Sequence, residues 1–345
     1  MEKFFGCGQR VELPYRLYRG EPRWGPPLRR DEYRRFSPAH NPFHAHASIH
    51  LWTARREGGV DHILFPEDPI RDALIKRYEQ LGGKALVNTT VEEVLVSEGR
   101  ARGVRLTDGT LIDADLVVST SSAPETVFRL LAGRFGAAEW RARMETWKMF
   151  QPIILASYGV TVPLTGEPAM LTIDGIDPVM VGDYPNDHLY LRICNEDPAF
   201  APSGQAVVQA MLQTNYDWWA TRGAQYQQEK DWMASRLLDC LDQHLPGVKA
   251  GVQMVDVVTP LTFWRSARAW RGAFEGWMPT SDAFKHVPKR LPGLDRFYLA
   301  GQWVEPGGGV PTAIMSGRHV VELICAAEQR PFVPPVIRDH QHALC

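Results

Sequence analysis

The residues from Leu299 to Arg318, LAGQWVEPGGGVPTAIMSGR, combine a glycine run with the start of a helix, a pattern that can bind an electron-rich ligand. The run Gly307-Gly308-Gly309 lacks side chains, so its backbone can approach a flat ligand closely and adopt positive φ angles. Pro311 suits the first turn of a helix, because its missing N–H would be unpaired there anyway. The free amides of that turn can stabilise a carbonyl or a phosphate. The alternative interpretation is a glycine-rich structural turn between a strand and a helix.

Two elements must position this glycine run. Arg296 to Ala300 (RFYLA) is a short apolar run after the turn signal Pro292-Gly293, which predicts a buried strand that ends at Gly301. From Thr312 onward, apolar residues recur at roughly helical spacing, which predicts a helix. These residues are Ala313, Met315, Val320, Leu323 and Ile324.

The whole segment resembles the C-terminal flavin-binding signature of the phytoene desaturase-like flavoproteins, the group of carotenoid desaturases, carotenoid isomerases and retinol saturase-like enzymes. Residues from about 63 to 334 fit the pattern of this family. The upstream motifs that match in order and spacing are Thr259-Pro260-Leu261-Thr262, Trp270-Arg271-Gly272, Glu275-Gly276-Trp277 and Leu291-Pro292-Gly293-Leu294. The resemblance implies an α/β fold with an FAD-binding doubly wound (Rossmann-like) domain.

Lys84 to Thr120 resembles the family's central strand and three-stranded meander. Before it, Asp68-Pro69 predicts a helix start, and Gly82-Gly83 predicts the end of that helix. Ala85 to Asn88 is the predicted central strand. Short strands follow, punctuated by two hairpin-turn signals and leading to an apolar strand at Leu116-Val117-Val118. The turn signals are Glu98-Gly99 and Asp108-Gly109.

The resemblance implies FAD as the cofactor and assigns contacts to particular residues. The backbone of Val91 would lie over the adenine, and the segment from Ser119 to Ser122 would pass near the cofactor. Gly301 would contact the pyrophosphate or the ribityl chain, and Glu305 the ribityl chain or the isoalloxazine. From its side chain alone, Val91 would be a core residue. The implied cofactor-binding set is Val91, Ser119, Gly301, Glu305, Gly308, Gly309, Val310, Pro311, Thr312 and Ala313.

The family opens with a strand, a G-x-G-x-x-G turn and a helix, whose glycines admit the pyrophosphate. The sequence shows no such unit. Gly6-Cys7-Gly8 lacks the third glycine and a preceding strand, and Pro66-Glu67-Asp68-Pro69 stands where the family carries Pro-x-Gly-Gly. The FAD-binding domain is therefore predicted to be truncated and incomplete.

Residues 1 to 58 have a different character, rich in Arg, Pro, His and aromatic residues. Three segments resemble the opening of acyl-CoA-dependent N-acetyltransferases: Glu21-Pro22-Arg23-Trp24, Pro26-Pro27-Leu28 and Asn41-Pro42-Phe43. The resemblance stops near Gly58, before any pyrophosphate-binding loop. A chimeric reading frame or a rearranged gene would explain this junction.

These observations predict an N-terminal segment (1–58), a truncated FAD-binding domain (59–140 and 258–334), a substrate domain (141–257) and a tail (335–345). The substrate domain should combine strands with one long helix from Tyr226 to Leu245. Aromatic side chains suit a flat apolar substrate, although an aromatic-rich core is the alternative. The substrate-contacting candidates are Trp270, Phe274 and Trp277.

Composition and charge limit the classes of protein to which this chain can belong. The 345 residues, 44% of them hydrophobic, suffice for a sizeable core, and a net charge of −2 gives no argument for nucleic-acid binding. No apolar run has the length of a membrane span and no signal peptide opens the chain, which favours a cytoplasmic protein and leaves peripheral membrane contact open. The histidines at 40, 44, 46 and 50 lack companion ligands, so no metal site is predicted.

No catalytic side-chain motif is evident, which is typical of a mechanism carried by a cofactor. The predicted function is FAD-dependent hydride transfer between flavin and a C–C bond of an extended apolar, polyene- or isoprenoid-like substrate. Desaturation, saturation and isomerisation all stay open. The alternative is a catalytically inactive, truncated or chimeric remnant that serves as a binding module. Because central strands are missing, a partner chain could complete the sheet. An acyltransferase function has weaker support, because only the N-terminal part of an acetyltransferase sequence is recognisable in this chain.

Overall fold

The computed structural model describes residues 69–195, 200–278 and 287–333. Three β-sheets and the helices around them make up the described part of the chain, which confirms the predicted α/β class. The N-terminal segment, the tail, and the helix cap predicted at Asp68 lie outside the described residues.

Helix α1 spans Pro69–Gln80, close to its predicted bounds. It ends at Gly82, whose φ of 87° lies in the left-handed region, and the amide of Gly83 donates to the carbonyl of Tyr78. All its side chains from residue 71 to 80 are exposed, including the apolar Leu74 and Tyr78. The helix therefore presents an apolar surface that no element of the described ranges covers.

The predicted strand Ala85 to Asn88 is wrong, because this segment forms no strand in the structure. Leu86 and Val87 are 50% and 78% exposed. A strand requires a neighbour with which to exchange backbone hydrogen bonds, and none of the described residues supplies one here. The apolar side chains alone could not show this lack of a partner.

The three-stranded meander is confirmed. Its antiparallel strands follow in the order β1-β2-β3. The first turn, at Glu98 and Gly99, has φ angles of 53° and 71°, as a two-residue hairpin turn requires. In the second turn, Oδ1 of Asp108 accepts the amide of Thr110 at 2.9 Å. The strands are β1 (Val91–Ser97), β2 (Arg100–Leu106) and β3 (Leu111–Asp113).

After the meander, the short strand β4 (Val117–Ser119) leads into a π-helical turn at Glu125–Leu130. Helix α2 (Ala137–Thr146) follows and buries Trp140. Arg129, on the π-helical turn, donates to the carbonyls at the start of β1. This arginine thus joins the meander to the segment after β4.

A five-stranded antiparallel sheet forms the centre of the predicted substrate domain, with the strand order β6-β7-β8-β5-β9. Four of these strands were predicted in full or in part, from the apolar runs Ile153–Val160, Val179–Val181, Leu189–Cys194 and Val207–Gln213, and β9 was not predicted. The strands are β5 (Ile153–Val160), β6 (Met170–Val181), β7 (Tyr184–Cys194), β8 (Ala206–Gln213) and β9 (Val252–Val258).

Two helices follow β8 in the chain, the short α3 (Tyr216–Ala220) and the long α4 (Tyr226–His244). The predicted long helix is confirmed as α4. Its Met233, Leu237 and Leu241 pack into the same core as the inward side chains of the sheet. Burial of this helix face against the sheet stabilises the unit.

The last part of the chain returns to β4. Helix α5 (Pro260–Ala267) begins with a capping box formed by Thr259 and Thr262. Strand β10 (Phe297–Leu299) pairs with β4 in parallel, which confirms the predicted buried strand. Helix α6 (Gly309–Ala327) follows the glycine run. Among the described residues, the parallel sheet has these two strands alone.

Candidate functional site

The glycine loop, residues 301–309, connects β10 to α6 and is fixed at its first residue. Gly301 has a φ of 98°, and its amide donates to Oγ of Ser316 on α6 at 2.6 Å. A Cβ at Gly301 would lie 3.2 Å from the carbonyl oxygen of Thr120, just after β4. Gly301 therefore allows β4, the glycine loop and α6 to approach closely.

Gln302 holds the rest of the glycine loop with both ends of its amide. Its Nε2 donates to the carbonyl of Phe274 at 3.1 Å, and its Oε1 accepts the amide of Gly309 at 3.3 Å. The amide of Gly307 donates to the carbonyl of Trp277 at 3.1 Å. These hydrogen bonds hold the segment from Phe274 to Trp277 against the glycine loop and fix the orientation of the start of α6.

The first turn of α6 presents an unused amide. Val310 is 58% exposed, and among the described residues its N–H has no acceptor. The hydroxyl of Thr312 donates to the carbonyl of Gly308 at 2.7 Å, so that side chain does not cap the amide. The first turn of α6 carries no acidic side chain, so no residue within that turn neutralises the positive end of the helix dipole.

Glu275 lies beside this helix start. A Cβ at Gly308 would overlap the side chain of Glu275 and lie 3.0 Å from its Cα, so only glycine fits there. The Oε2 atom of Glu275 is buried and has no hydrogen-bond partner among the described residues. Burial raises the pKa of this carboxyl from 4.5 to about 7. Sequence analysis placed Glu275 in a family motif but assigned it no function. An acidic residue between Phe274 and Gly276-Trp277 was the signal that could have identified it as a candidate site residue.

Glu305 makes two ionic contacts within the protein. Its Oε1 lies 2.7 Å from Nζ of Lys289 and 2.7 Å from Nδ1 of His319. Lys289 is buried, with 7% of its side chain exposed. In the structure, the carboxylate of Glu305 joins the glycine loop to Lys289 and to His319 of α6. Its contact with flavin stays a prediction.

Val91 and Ser119 belong to two different sheets. The carbonyl of Val91 accepts Nη2 of Arg129 at 3.2 Å, and the carbonyl of Ser119 accepts the amide of Ala300 at 2.9 Å. Oγ of Ser119 is buried 2.7 Å from Oγ1 of Thr126. Both residues thus have internal partners, and their contacts with the cofactor stay predictions.

The three aromatic candidates lie close to the glycine loop but differ in burial. Trp277 is fully buried, and its ring contacts those of Trp147 and Trp303 edge to face at 5.7 and 5.2 Å. Phe274 and Trp270 are half-buried, and Phe274 contacts Phe150 at 5.7 Å. Trp277 has the environment of a core residue, whereas the other two keep accessible surface. Substrate contact by any of them stays a prediction.

These residues fit the flavin end of FAD. A Cβ at Gly307 would meet no atom within 4 Å, so the loop has open space beside it. The free amide of Val310 is a donor, and the unpartnered Oε2 of Glu275 is an acceptor or, when protonated, a donor. Residues of this kind can hold the electron-rich edge of an isoalloxazine.

Within the described ranges, every helix is too short or too polar to span a membrane. No group of three His, Cys, Asp or Glu side chains within the described ranges is placed to hold a metal ion.

Comparison with known proteins identifies relatives at low sequence identity. The chain is 27% identical over 301 residues to a lycopene-forming phytoene desaturase of Pseudescherichia vulneris, with 82% of this chain and 60% of the relative covered. It is 28% identical over 312 residues to a neurosporene-forming phytoene desaturase of Rhodobacter capsulatus, covering 82% and 57%. A prolycopene isomerase of Arabidopsis thaliana is 23% identical over 282 residues, covering 79% and 47%.

The chain therefore spans about 60% or less of the length of these relatives. The model of the flavin-containing amine oxidoreductases matches residues 36–325. This match begins inside the segment 1–58 for which a different origin was predicted, and the boundary at 58 stays a prediction. Because the match covers most of the sequence, from before α1 to the last turns of α6, the chain belongs to the flavin-containing amine oxidoreductase family, whose cofactor is FAD and whose phytoene desaturase-like members are its relatives.

Proposed function

We propose that the chain is an FAD-dependent oxidoreductase that acts on a C–C bond of an extended apolar substrate, of polyene or isoprenoid type. The observation that carries this proposal is the start of α6, where the amide of Val310 is free beside an open glycine loop. The family match supports FAD, and the activities of the relatives, a phytoene desaturase and a prolycopene isomerase, support the substrate class.

The chain's residues would hold the flavin by its electron-rich edge. The amide of Val310 and the dipole of α6 favour a carbonyl or a developing negative charge at that point. Gln302 keeps the amide in place, because it binds Gly309 and Phe274 at once. Bound FAD would supply hydride transfer to or from the substrate carbon. The protein's part is therefore orientation and electrostatics.

Water exclusion is the second part of the protein's role. A packed aromatic cluster lies at the glycine loop and includes one residue of the loop itself. Its members are Trp277, Trp147 and the loop residue Trp303. Such a cluster makes one side of the site apolar and rigid, which strengthens hydrogen bonds made there. Phe274 and Trp270, which keep accessible surface, are the proposed contacts for the apolar substrate.

The visible absorption spectrum of the purified protein tests this proposal. The protein is incubated with excess FAD, desalted and measured, and we expect flavin bands to remain in the protein fraction. A colourless protein after reconstitution would count against a flavin enzyme. A substrate screen with apolar polyenes under anaerobic conditions then reports desaturation, saturation or isomerisation.

A second candidate function is assembly with another polypeptide chain, which the exposed apolar faces of α1 and α6 favour. On α6, Val310, Ile314 and Val321 are 58%, 54% and 45% exposed and lie on one stripe of the helix. The far edge of β4 pairs with no strand among the described residues, and Val118 on that edge is 40% exposed. Exposed apolar patches and unpaired edges are typical of interaction sites.

The proposed partner is a second copy of this chain, which would cover the apolar stripe of α6 and the unpaired edge of β4. Sedimentation velocity of the protein alone and with Ile314→Lys tests this idea. We expect the unsubstituted protein to self-associate at micromolar concentration and the variant to sediment as a monomer. A monomeric unsubstituted protein that retains FAD would favour the enzyme over the assembly function.

A further inference from the structure

The side chain of Glu275 lies against the first residues of α6. Its Cα, Cβ and Cγ pack against Gly308, and its Oε1 lies 3.7 Å from the position a Cβ would take at Gly309. Three consecutive positive φ angles, at Gly307, Gly308 and Gly309, keep the backbone close to this carboxyl. The carboxyl is therefore a fixed part of the helix start.

The two oxygens of Glu275 have no counter-charge in the described structure. Oε2 is buried without a hydrogen-bond partner. The first turn of α6 carries no acidic or basic side chain. On the glycine loop, the ionisable Glu305 is engaged by Lys289 and by His319 of α6. On the chain before Glu275, Arg271 pairs with Asp217.

The protonation state of this carboxyl decides what the helix start offers a ligand. A neutral carboxylic acid can donate a hydrogen bond, and it leaves the positive end of α6 free. A carboxylate cannot donate, and its negative charge repels an electron-rich ligand. The buried position raises the pKa of Glu275 to about 7, so both states are populated near neutral pH.

We propose that Glu275 is a proton-dependent binding residue, which in its protonated form donates a hydrogen bond to the electron-rich edge of the flavin at the start of α6 and in its ionised form weakens flavin binding. This inference rests on the proposed function and extends it, because it couples the affinity for FAD to one proton on a named side chain.

The test is a titration with FAD, followed by quenching of flavin fluorescence between pH 5.5 and pH 8.5. The unsubstituted protein should lose affinity about tenfold per pH unit above the pKa of the carboxyl, since one proton is linked to binding. In Glu275→Gln, which keeps a donor and cannot ionise, the affinity should be high and nearly independent of pH. In Glu275→Leu it should be independent of pH but lower, because the donor is lost.

Glu322→Gln is the matched control, since Glu322 lies on the same helix in an exposed pair with Arg318. This variant should keep the pH slope of the unsubstituted protein. Equal slopes in the unsubstituted protein and in Glu275→Gln would overturn the inference while leaving the FAD enzyme standing. Failure of the unsubstituted protein and of all three variants to bind FAD at any pH would overturn the proposed function and this inference with it.

Each variant is first checked by circular dichroism and thermal unfolding without FAD. If Glu275→Gln does not fold, ¹³C NMR of the labelled Glu275 carboxyl in the unsubstituted protein provides the second measurement. We expect the carboxyl to titrate near neutral pH in the free protein and at higher pH with FAD bound, because the ligand stabilises the protonated form. A titration midpoint that FAD leaves unchanged would contradict the inference.

Discussion

Nζ of Lys289 lies 2.7 Å from Oε1 of Glu305, and this pair joins the segment before β10 to the glycine loop in a largely buried position. The exposed fractions of the two side chains are 7% and 18%. Removal of one partner would leave the other charge in a poorly solvated place, which is costlier than loss of a surface pair. His319 remains as a second partner of Glu305 and limits that cost.

We therefore expect Lys289→Met to lower the free energy of unfolding by about 2–3 kcal/mol. Arg318→Met, which removes an exposed pair with Glu322, should cost less than about 1 kcal/mol. Urea unfolding followed by tryptophan fluorescence measures both. Equal effects of the two substitutions would show that the Lys289 pair is no stronger than a surface pair.

Substitution of Glu275 should change how thermal stability depends on pH in the absence of ligand. Its pKa is raised to about 7 in the folded protein, from an ordinary value of 4.5, so the folded state binds more protons between these values. The contribution of Glu275 to stability therefore falls as pH rises from about 4.5 to 7. Relative to Glu275→Gln, the unsubstituted protein should be least stable above pH 7, and the difference should shrink towards pH 5. Scanning calorimetry at pH 5, 6, 7 and 8 measures this, and a constant difference would argue against a raised pKa.

The free amide of Val310 can be removed without a large change to the helix. Val310→Pro deletes the donor in the first turn of α6, where proline is tolerated. We expect FAD affinity to fall by about 10- to 100-fold, because hydrogen bonds to charged or electron-rich atoms contribute roughly 1.5–3 kcal/mol. Val310→Ala keeps the amide and removes most of the exposed side chain, so it should bind FAD normally. Similar losses in both variants would mean that the side chain, and not the amide, makes the contact.

The turn between β6 and β7 provides a test of packing in the five-stranded sheet. Gly182 has a φ of 69°, and a Cβ there would lie 2.6 Å from the ring of Trp218. Gly182→Ala should destabilise the protein by about 3 kcal/mol, through left-handed strain and displacement of the ring. Gly204→Ala, at a φ of 81° with no atom within 4 Å, should cost only the strain, about 1 kcal/mol. Chemical denaturation measures the difference, and equal costs would show that Trp218 moves freely.

Strong local patterns made parts of the fold predictable. Helix α4 was predicted almost to its ends, because Leu237, Leu238 and Leu241 recur at helical spacing within it. The meander was predicted from Glu98-Gly99 and Asp108-Gly109, which mark its two turns. The glycine loop and the start of α6 were also predicted from local sequence. Glycine permits backbone conformations that other residues avoid, and proline favours the first turn of a helix.

Interactions between distant residues were not predictable. Strand β9 was missed because its residues 253–256 are exposed and do not alternate, and its pairing with β5 determines its structure. The residues Ala85 to Asn88 have the composition of a strand, but no strand among the described residues pairs with them. The partnership of Lys289 with Glu305 and the burial of Glu275 depend on how the glycine loop packs, which no local pattern encodes.

The position of β5 in the five-stranded sheet has a consequence for the order of folding. Strands β6, β7 and β8 are consecutive in the chain and adjacent in the sheet, so they can pair as fast-closing hairpins. Strand β5 precedes them but lies between β8 and β9, and β9 must travel across the whole intervening segment to reach it. The entropy of closing that long loop makes β9 the expected last strand to dock. Until then, the edge of β5 that will receive β9 stays unpaired, and an unpaired strand edge is prone to pair with another chain.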